Sequence, residues 1–250
     1  MTLNDTYVAD VPAVLLVGGM GTRLQSVLPS KPKPLAPVGD APFLELLVLQ
    51  LRAQGIRRVI MCTGHLADQI EGQFQSGSKW NMAIEYSREV LPLGTAGAVK
   101  LAERHFEYDA DLIVMNGDSF LETDFAELIR LHHQHKALVT IAARSVPDAA
   151  RYGTIRMDRL SRILAFEEKT GIQEPGIING GVYVFNRAVF GQIPEGSGSL
   201  ERDIFPRLIE KGIFAVLQDG IFIDIGTPAD YARAQTLYQN LQYAAHAPCR

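Results

Sequence analysis

Residues 11–24 read VPAVLLVGGMGTRL. The apolar run Val11–Val17 reads as a strand, and it breaks into Gly18-Gly19-Met20-Gly21-Thr22-Arg23-Leu24. Glycines at the carboxyl end of a first parallel strand let backbone N–H groups approach a phosphate with no Cβ in the way. Two familiar phosphate loops do not fit. A dinucleotide fingerprint needs a third glycine where Leu24 stands, and a Walker A loop needs a Gly-Lys-Ser/Thr ending that is absent. What remains is a glycine turn with a cation at Arg23, followed by Lys33 between Pro32 and Pro34, whose rings restrict the backbone and so the placement of the lysine.

Outward from this loop, the first half alternates helix and strand patterns: Phe43–Ala53, Val59–Thr63, Ala67–Phe74, Ile84–Tyr86, Thr95–Arg104 and Leu112–Met115. That order predicts an α/β fold, a Rossmann-like doubly wound mixed sheet with right-handed crossovers. A helix at Phe125–His135 and a strand at Leu138–Ala143 follow, then shorter strands at Thr154–Met157, Ile163–Glu167 and Gly181–Phe185. These predict an α+β extension at the sheet edge. Helices are expected at Leu200–Glu210 and Ala229–Leu241, the second opened by the cap-and-proline pair Thr227-Pro228. No repeat, linker or low-complexity tract divides the chain, so one domain over 1–250 is expected, with a first half near 11–120, a second half near 121–241 and a tail at 242–250.

With 250 residues, 47% hydrophobic and 21% charged, the composition is that of an ordinary globular domain. The net charge is −4 and the cations are scattered, so nucleic acid is not an expected partner. The N-terminal segment has no cationic leader and no apolar stretch long enough for a bilayer, which predicts a cytoplasmic protein with no membrane partner. Cys62 and Cys249 fit neither a disulfide framework nor a thiolate metal site. His132, His133 and His135 read as a solvated helix face, and Trp80, at the start of an expected strand, as packing.

The GGMGTR loop with its following Pro32-Lys33-Pro34 resembles the signature of the sugar nucleotidyltransferase family. The resemblance runs from Val14 to about Ala234 and implies transfer of a nucleotidyl group from a nucleoside triphosphate to a sugar 1-phosphate, with Mg²⁺ as cofactor. It implies that Val17, Gly18, Gly19, Met20, Gly21 and Thr22 line the nucleotide, that Arg23 binds the triphosphate and that Lys33 binds the sugar phosphate. The run PLGTAGA and the segments SLERDIFPRL and FIDIGTPADY are most similar to the subgroup of heptose 1-phosphate guanylyltransferases. Mannose 1-phosphate guanylyltransferases and amino-sugar uridylyltransferases look similar too, and a non-catalytic nucleotide-sugar sensor would share the fold.

Asp118 ends the run Leu112-Ile113-Val114-Met115-Asn116-Gly117-Asp118, which puts it at the same sheet edge as the glycine loop. Asp224 lies between Ile223 and Ile225, where an acid needs a partner or a metal. The family pattern makes both magnesium ligands; a turn cap for Asp118 and a core acceptor for Asp224 are the plainer readings. Catalysis then falls to Arg23, Lys33 and Asp118. By the same resemblance, Gly117, Glu168, Lys169, Asn179 and Gly180 contact the sugar. Thr170 stands where the family has proline after the lysine. A surface charge run at 167–169 and a β-turn at 179–181 are the alternatives. Glu201 is either a hydroxyl acceptor or an acid in a helix's first turn. Glu89, Gly94 and Thr95 resemble the base-binding element. A carboxylate at Glu89 can accept guanine N1–H and N2–H together, or serve the ribose or a helix N-terminus. Apolar residues in the last helix leave a homodimer open beside an intramolecular core.

Overall fold

A computed structural model describes residues 8–24, 27–106, 111–167, 169 and 171–246. In chain order the strands are β1 (Ala13–Leu16), β2 (Pro37–Val38), β3 (Ala41–Pro42), β4 (Arg58–Thr63), β5 (Ala83–Arg88), β6 (Leu112–Asn116), β7 (Ser119–Leu121), β8 (Val139–Val146), β9 (Thr154–Met157), β10 (Ile163–Glu167), β11 (Gly176–Phe185), β12 (Ile213–Leu217) and β13 (Phe222–Asp224). β4 and β6 flank β1 in parallel, and β5 adds in parallel to β4. The chain therefore moves one way from β1 to β4 and β5, then returns to place β6 on the other side of β1. The crevice at the carboxyl ends of β1 and β6 is the point where an open α/β sheet leaves room for a ligand.

Beyond β6 the sheet turns antiparallel. β11 pairs with β6 and with β8, β12 pairs in parallel with β8, and β9 and β10 complete a nine-stranded sheet. The expected doubly wound sheet and its edge extension are both present. Side chains alternate through β1, so Ala13 and Leu15 join one core and Val14 the other. The first core holds the apolar stripe of the helix Phe43–Ala53 and of the helix Phe125–Gln134. The second holds Ala96, Val99 and Ala102 of the helix Gly94–Ala102. Leu241, Ala244 and Ala245 of the last helix also lie in the first core, so these apolar residues serve the chain's own interior.

Several expectations are corrected. The segment expected as one helix over Leu200–Glu210 is a π turn at Leu200–Ile204, a short helix at Phe205–Leu208 and a 3₁₀ turn at Ile209–Lys211. Pro206 has no N–H for the ladder, which accounts for the break. The last helix is two: Pro228–Thr236, whose first turn is capped by Thr227 as expected, and Tyr238–Ala245, which runs past Leu241. The Thr236 hydroxyl donates to the Arg233 carbonyl at 2.8 Å, competing with the backbone ladder at the break. Trp80 closes a 3₁₀ turn instead of opening a strand, and it does pack, stacked on Phe74 with ring centroids 5.0 Å apart. His132 is not solvated: it is buried, its Nδ1 lies 2.9 Å from the Thr140 hydroxyl, and His135 stacks on Phe214. Cys62 is buried, which with the nearby Glu89 charge pushes its thiol up to about 12 and leaves it inert. Cys249 lies outside the described residues.

Candidate active site

β1 and β6 end side by side, and glycine is what lets them close. Gly117 N–H donates to the Leu16 carbonyl at 2.9 Å, and a Cβ on Gly117 would stand 2.6 Å from Val17 Cγ1. Gly21 has φ +57°, and a Cβ there would lie 2.9 Å from Lys33 Cβ, so the loop can sit against the lysine only as glycine. Gly19 meets nothing within 4 Å and faces open space. The result is a cavity of about 190 Å³ at the rim of the sheet, lined by Gly19, Gly21, Arg23, Lys33, Asp118 and Gly226. Val17 and Thr22 also reach it, while Met20 is exposed beside it. Arg23 projects from a 3₁₀ turn anchored by buried Leu24. Lys33 stands in the turn at 33–35 and is only 9% exposed.

Two acids meet this lysine. Its Nζ donates to Asp118 Oδ2 at 2.6 Å and lies 3.8 Å from Asp224 Oδ1. Asp224 reaches the site because β13 pairs antiparallel with β7, Asp224 opposite Ser119, and Ile225 N–H donates to the Asp118 carbonyl at 3.0 Å. Gly226 N–H donates to Asp224 Oδ1 at 2.6 Å. Burial first and the Asp118 charge second push the Asp224 carboxyl above its ordinary value, against the opposing pull of Lys33 and Gly226 N–H. Two carboxylates thus share one buried ammonium. Among the described residues no third histidine, cysteine or acid completes a larger ligand set. An all-oxygen pair of this kind suits a hard cation that keeps water or phosphate oxygens as its other ligands, and a soft-metal site is excluded by the donors themselves.

A second cavity of about 360 Å³ opens past Asn116, lined by Arg151, Tyr152, Lys169, Asn179 and Glu201. Lys169 does face it; Glu168 lies outside the described residues. Asn116 Oδ1 is buried with no hydrogen-bond partner among the described residues, an acceptor left open at this wall. Asn179 Oδ1 accepts from Gly181 N–H at 2.8 Å, and its Nδ2 donates to the Tyr183 hydroxyl at 2.9 Å. Gly180 is spoken for by packing, since a Cβ there would lie 2.3 Å from Leu121 Cδ2. Arg151, Tyr152 and Tyr183 carried no sequence signal that marked them. Arg151 is clamped by Asp230 through two bonds of 2.7 and 2.9 Å, and Tyr152 packs edge-on against Phe222, two residues before Asp224.

On the remaining side, Glu89 lies beneath the glycine loop. Its Oε2 accepts from Leu93 N–H at 3.0 Å, and its Oε1 lies 3.1 Å from where a Cβ on Gly18 would stand. Burial raises its carboxyl pKa, with the Leu93 bond pulling the other way. Gly94 has φ +67°, and a Cβ there would be 2.4 Å from the Gly198 carbonyl oxygen. The Thr95 hydroxyl donates to Glu201 Oε2 at 3.0 Å and accepts from Leu200 N–H at 2.8 Å. Gly94 and Thr95 therefore join the helix Gly94–Ala102 to the 196–201 segment.

A glycine loop at the switch point of a doubly wound sheet, with two cations and two carboxylates on one rim, defines the class of enzyme that handles a nucleoside polyphosphate. The chain belongs to the nucleotidyl transferase family, whose model matches residues 12–240, and it is a sugar 1-phosphate nucleotidyltransferase. It is 39% identical over 231 residues to D-glycero-alpha-D-manno-heptose 1-phosphate guanylyltransferase of Aneurinibacillus thermoaerophilus, covering 91% of this chain and 98% of that one. It is 38% identical over 227 residues to a mannose-1-phosphate guanylyltransferase of Mycobacterium tuberculosis, covering 89% of this chain and 63% of that longer protein. The solved structure of HddC from Yersinia pseudotuberculosis complexed with GMP-PN superposes with a TM-score of 0.81 at 33% identity, over 91% of this chain and 99% of that chain. No helix among the described residues is long and apolar enough to cross a membrane.

Proposed function

We propose that the protein transfers guanylyl from GTP to D-glycero-α-D-manno-heptose 1-phosphate, releasing pyrophosphate and the GDP-sugar, with Mg²⁺ as cofactor and in the cytoplasm. The observation that carries the chemistry is Lys33, buried against Gly21 and held between Asp118 and Asp224 at the phosphate rim. Both substrates are polyanions, so the main barrier is charge repulsion as the sugar phosphate oxygen approaches the α-phosphorus. Arg23 takes the exposed side of the cavity and meets the triphosphate, while Lys33 meets the sugar phosphate. Backbone N–H groups of the loop from Val17 to Thr22 add fixed dipoles. Asp118 and Asp224 would hold Mg²⁺, which when bound supplies two further positive charges to the phosphoryl oxygens. No protein nucleophile is required, and positioning with electrostatics carries the acceleration.

The sugar sits in the cavity lined by Asn116, Lys169, Asn179 and Glu201, and Gly117 and Gly180 are assigned to it by resemblance. Glu168 takes part by resemblance alone. Support for guanine comes from the guanylyltransferase names of the relatives, because one Glu89 oxygen is already used by Leu93 N–H. Support for heptose comes from the relatives that the chain matches along almost their whole length. The test is a panel of GTP, UTP, ATP and dTTP crossed with heptose, mannose and glucose 1-phosphates, scored by pyrophosphate release. GTP with heptose 1-phosphate should give the highest kcat/KM. A preference for mannose 1-phosphate or for UTP would overturn that component, and no pyrophosphate from any pair would overturn the whole.

A further inference from the structure

Glu201 lines the sugar-side cavity, yet three protein hydroxyls already donate to it. Tyr183 OH donates to Oε1 at 3.1 Å, and Thr95 and Ser199 donate to Oε2 at 3.0 and 2.9 Å. A carboxylate offers about four lone-pair sites, so three are occupied and one, on Oε1, stays open. The Tyr183 oxygen in turn accepts from Asn179 Nδ2, and Asn179 Oδ1 is fixed by Gly181 N–H. That fixes which end of the amide is which, and leaves Asn179 one N–H to spare. One phenol oxygen thus holds an acceptor and a donor side by side at the cavity wall.

The supports are rigid. Tyr183 is wholly buried on β11, with its ring packed against Phe205 and Phe185 at centroid distances of 5.1 and 5.9 Å. Burial and the Glu201 charge hold its phenol well above the ordinary value, so it remains a donor at any working pH. Thr95 stands on the helix Gly94–Ala102, which packs backbone to backbone on the 196–198 segment: Cβ atoms on Gly94 and Gly97 would lie 2.4 and 2.3 Å from the Gly198 and Gly196 carbonyl oxygens.

We propose that Tyr183 and Thr95 are positioning residues that aim Glu201 and Asn179 at one hydroxyl of the sugar. That hydroxyl donates to Glu201 Oε1 and accepts from Asn179 Nδ2, and Tyr183 sets the spacing between the two. Thr95 locks the carboxylate from the nucleotide side, so the sugar site is rigid only while the helix that follows Glu89 is in place. The inference rests on the nucleotidyltransferase reading of the same site.

The test compares wild type, Tyr183→Phe, Thr95→Val and Thr95→Ser by initial rates of pyrophosphate release from GTP and heptose 1-phosphate, together with thermal melts. Tyr183→Phe keeps the ring packing and loses only the hydroxyl. It should raise the KM for the sugar phosphate by about tenfold or more, the loss expected when a hydrogen bond to a charged acceptor goes, with the KM for GTP within about twofold. Thr95→Val should move the same constant in the same direction, and Thr95→Ser should restore it. A lower Tm with both KM values unchanged, or an equal rise in both, would mean that the hydroxyls only stabilise the fold and would overturn the proposal. If Tyr183→Phe does not fold, the contrast between Thr95→Val and Thr95→Ser decides alone. Wild type that releases no pyrophosphate would instead sink the functional reading beneath it.

Discussion

Replacing Lys33 by methionine should separate two roles that the structure gives one side chain. The ammonium stands 2.6 Å from Asp118 and 3.8 Å from Asp224, so a divalent ion that uses both carboxylates must compete with it. Unit charges about 4 Å apart interact by about 4 kcal/mol at an effective dielectric near 20. Asp118 is 44% exposed and solvent screens the pair, so a third of that, about 1.3 kcal/mol, is the working figure. Lys33→Met should therefore bind Mn²⁺, without nucleotide, about tenfold more tightly than wild type, read by paramagnetic resonance of the free ion. Its pyrophosphate release should fall by hundreds-fold, as expected when a preorganised charge partner of the reacting phosphate is lost. Unchanged or weaker Mn²⁺ binding would refute the idea that the lysine occupies the metal's ground, and near wild-type turnover would remove it from catalysis.

Other outcomes follow from single positions. Gly94→Ala should lower Tm by roughly 4–8 °C, the effect of about 2 kcal/mol, because φ is +67° and the Gly198 carbonyl blocks a Cβ; Gly55→Ala, with φ +94° and open space, should cost less. Equal shifts would show that the close contact contributes nothing. Asp224→Asn should abolish turnover yet raise Tm near neutral pH, since a carboxyl whose folded pKa is raised opposes folding once it ionises; a lower Tm would contradict this. His132 is pushed down to about 4, first by burial, so the unfolded chain binds its proton more readily. Its contribution is intact above about 6.5 and is lost as pH falls toward about 4. Urea unfolding across that range should show a shallower loss in His132→Gln than in wild type.

What could be read from the sequence was what repeats in one dimension. Ala13–Leu16 and Leu112–Asn116 are apolar runs that end in glycine or Asn-Gly-Asp, and those endings put the glycine loop and Asp118 on one sheet edge, while Arg23 and Lys33 were marked by the family resemblance of the loop and of the two prolines around the lysine. Asp224 was legible as an acid out of place between isoleucines; the reason it arrives, the short pairing of β13 with β7, depends on a contact across a hundred residues and left no local pattern. The same holds for Tyr183. Its neighbours in sequence say buried strand, and only the fold brings Asn179 and Glu201 to its hydroxyl. His132 misled because three histidines in four positions look polar, whereas helical geometry turns the first of them inward to Thr140. The broken helices at Pro206 and Thr236 show tertiary and side-chain bonding overriding a periodic pattern.

The most direct measurement is a crystal structure of the protein soaked with Mg²⁺ and the GDP-sugar product. The diphosphate should lie in the cavity lined by Gly19, Gly21 and Lys33, with Arg23 at its outer side, density for the ion on Asp118 and Asp224, and the sugar against Asn179 and Glu201. A diphosphate bound elsewhere on the molecule, or an ion held away from both aspartates, would contradict the account.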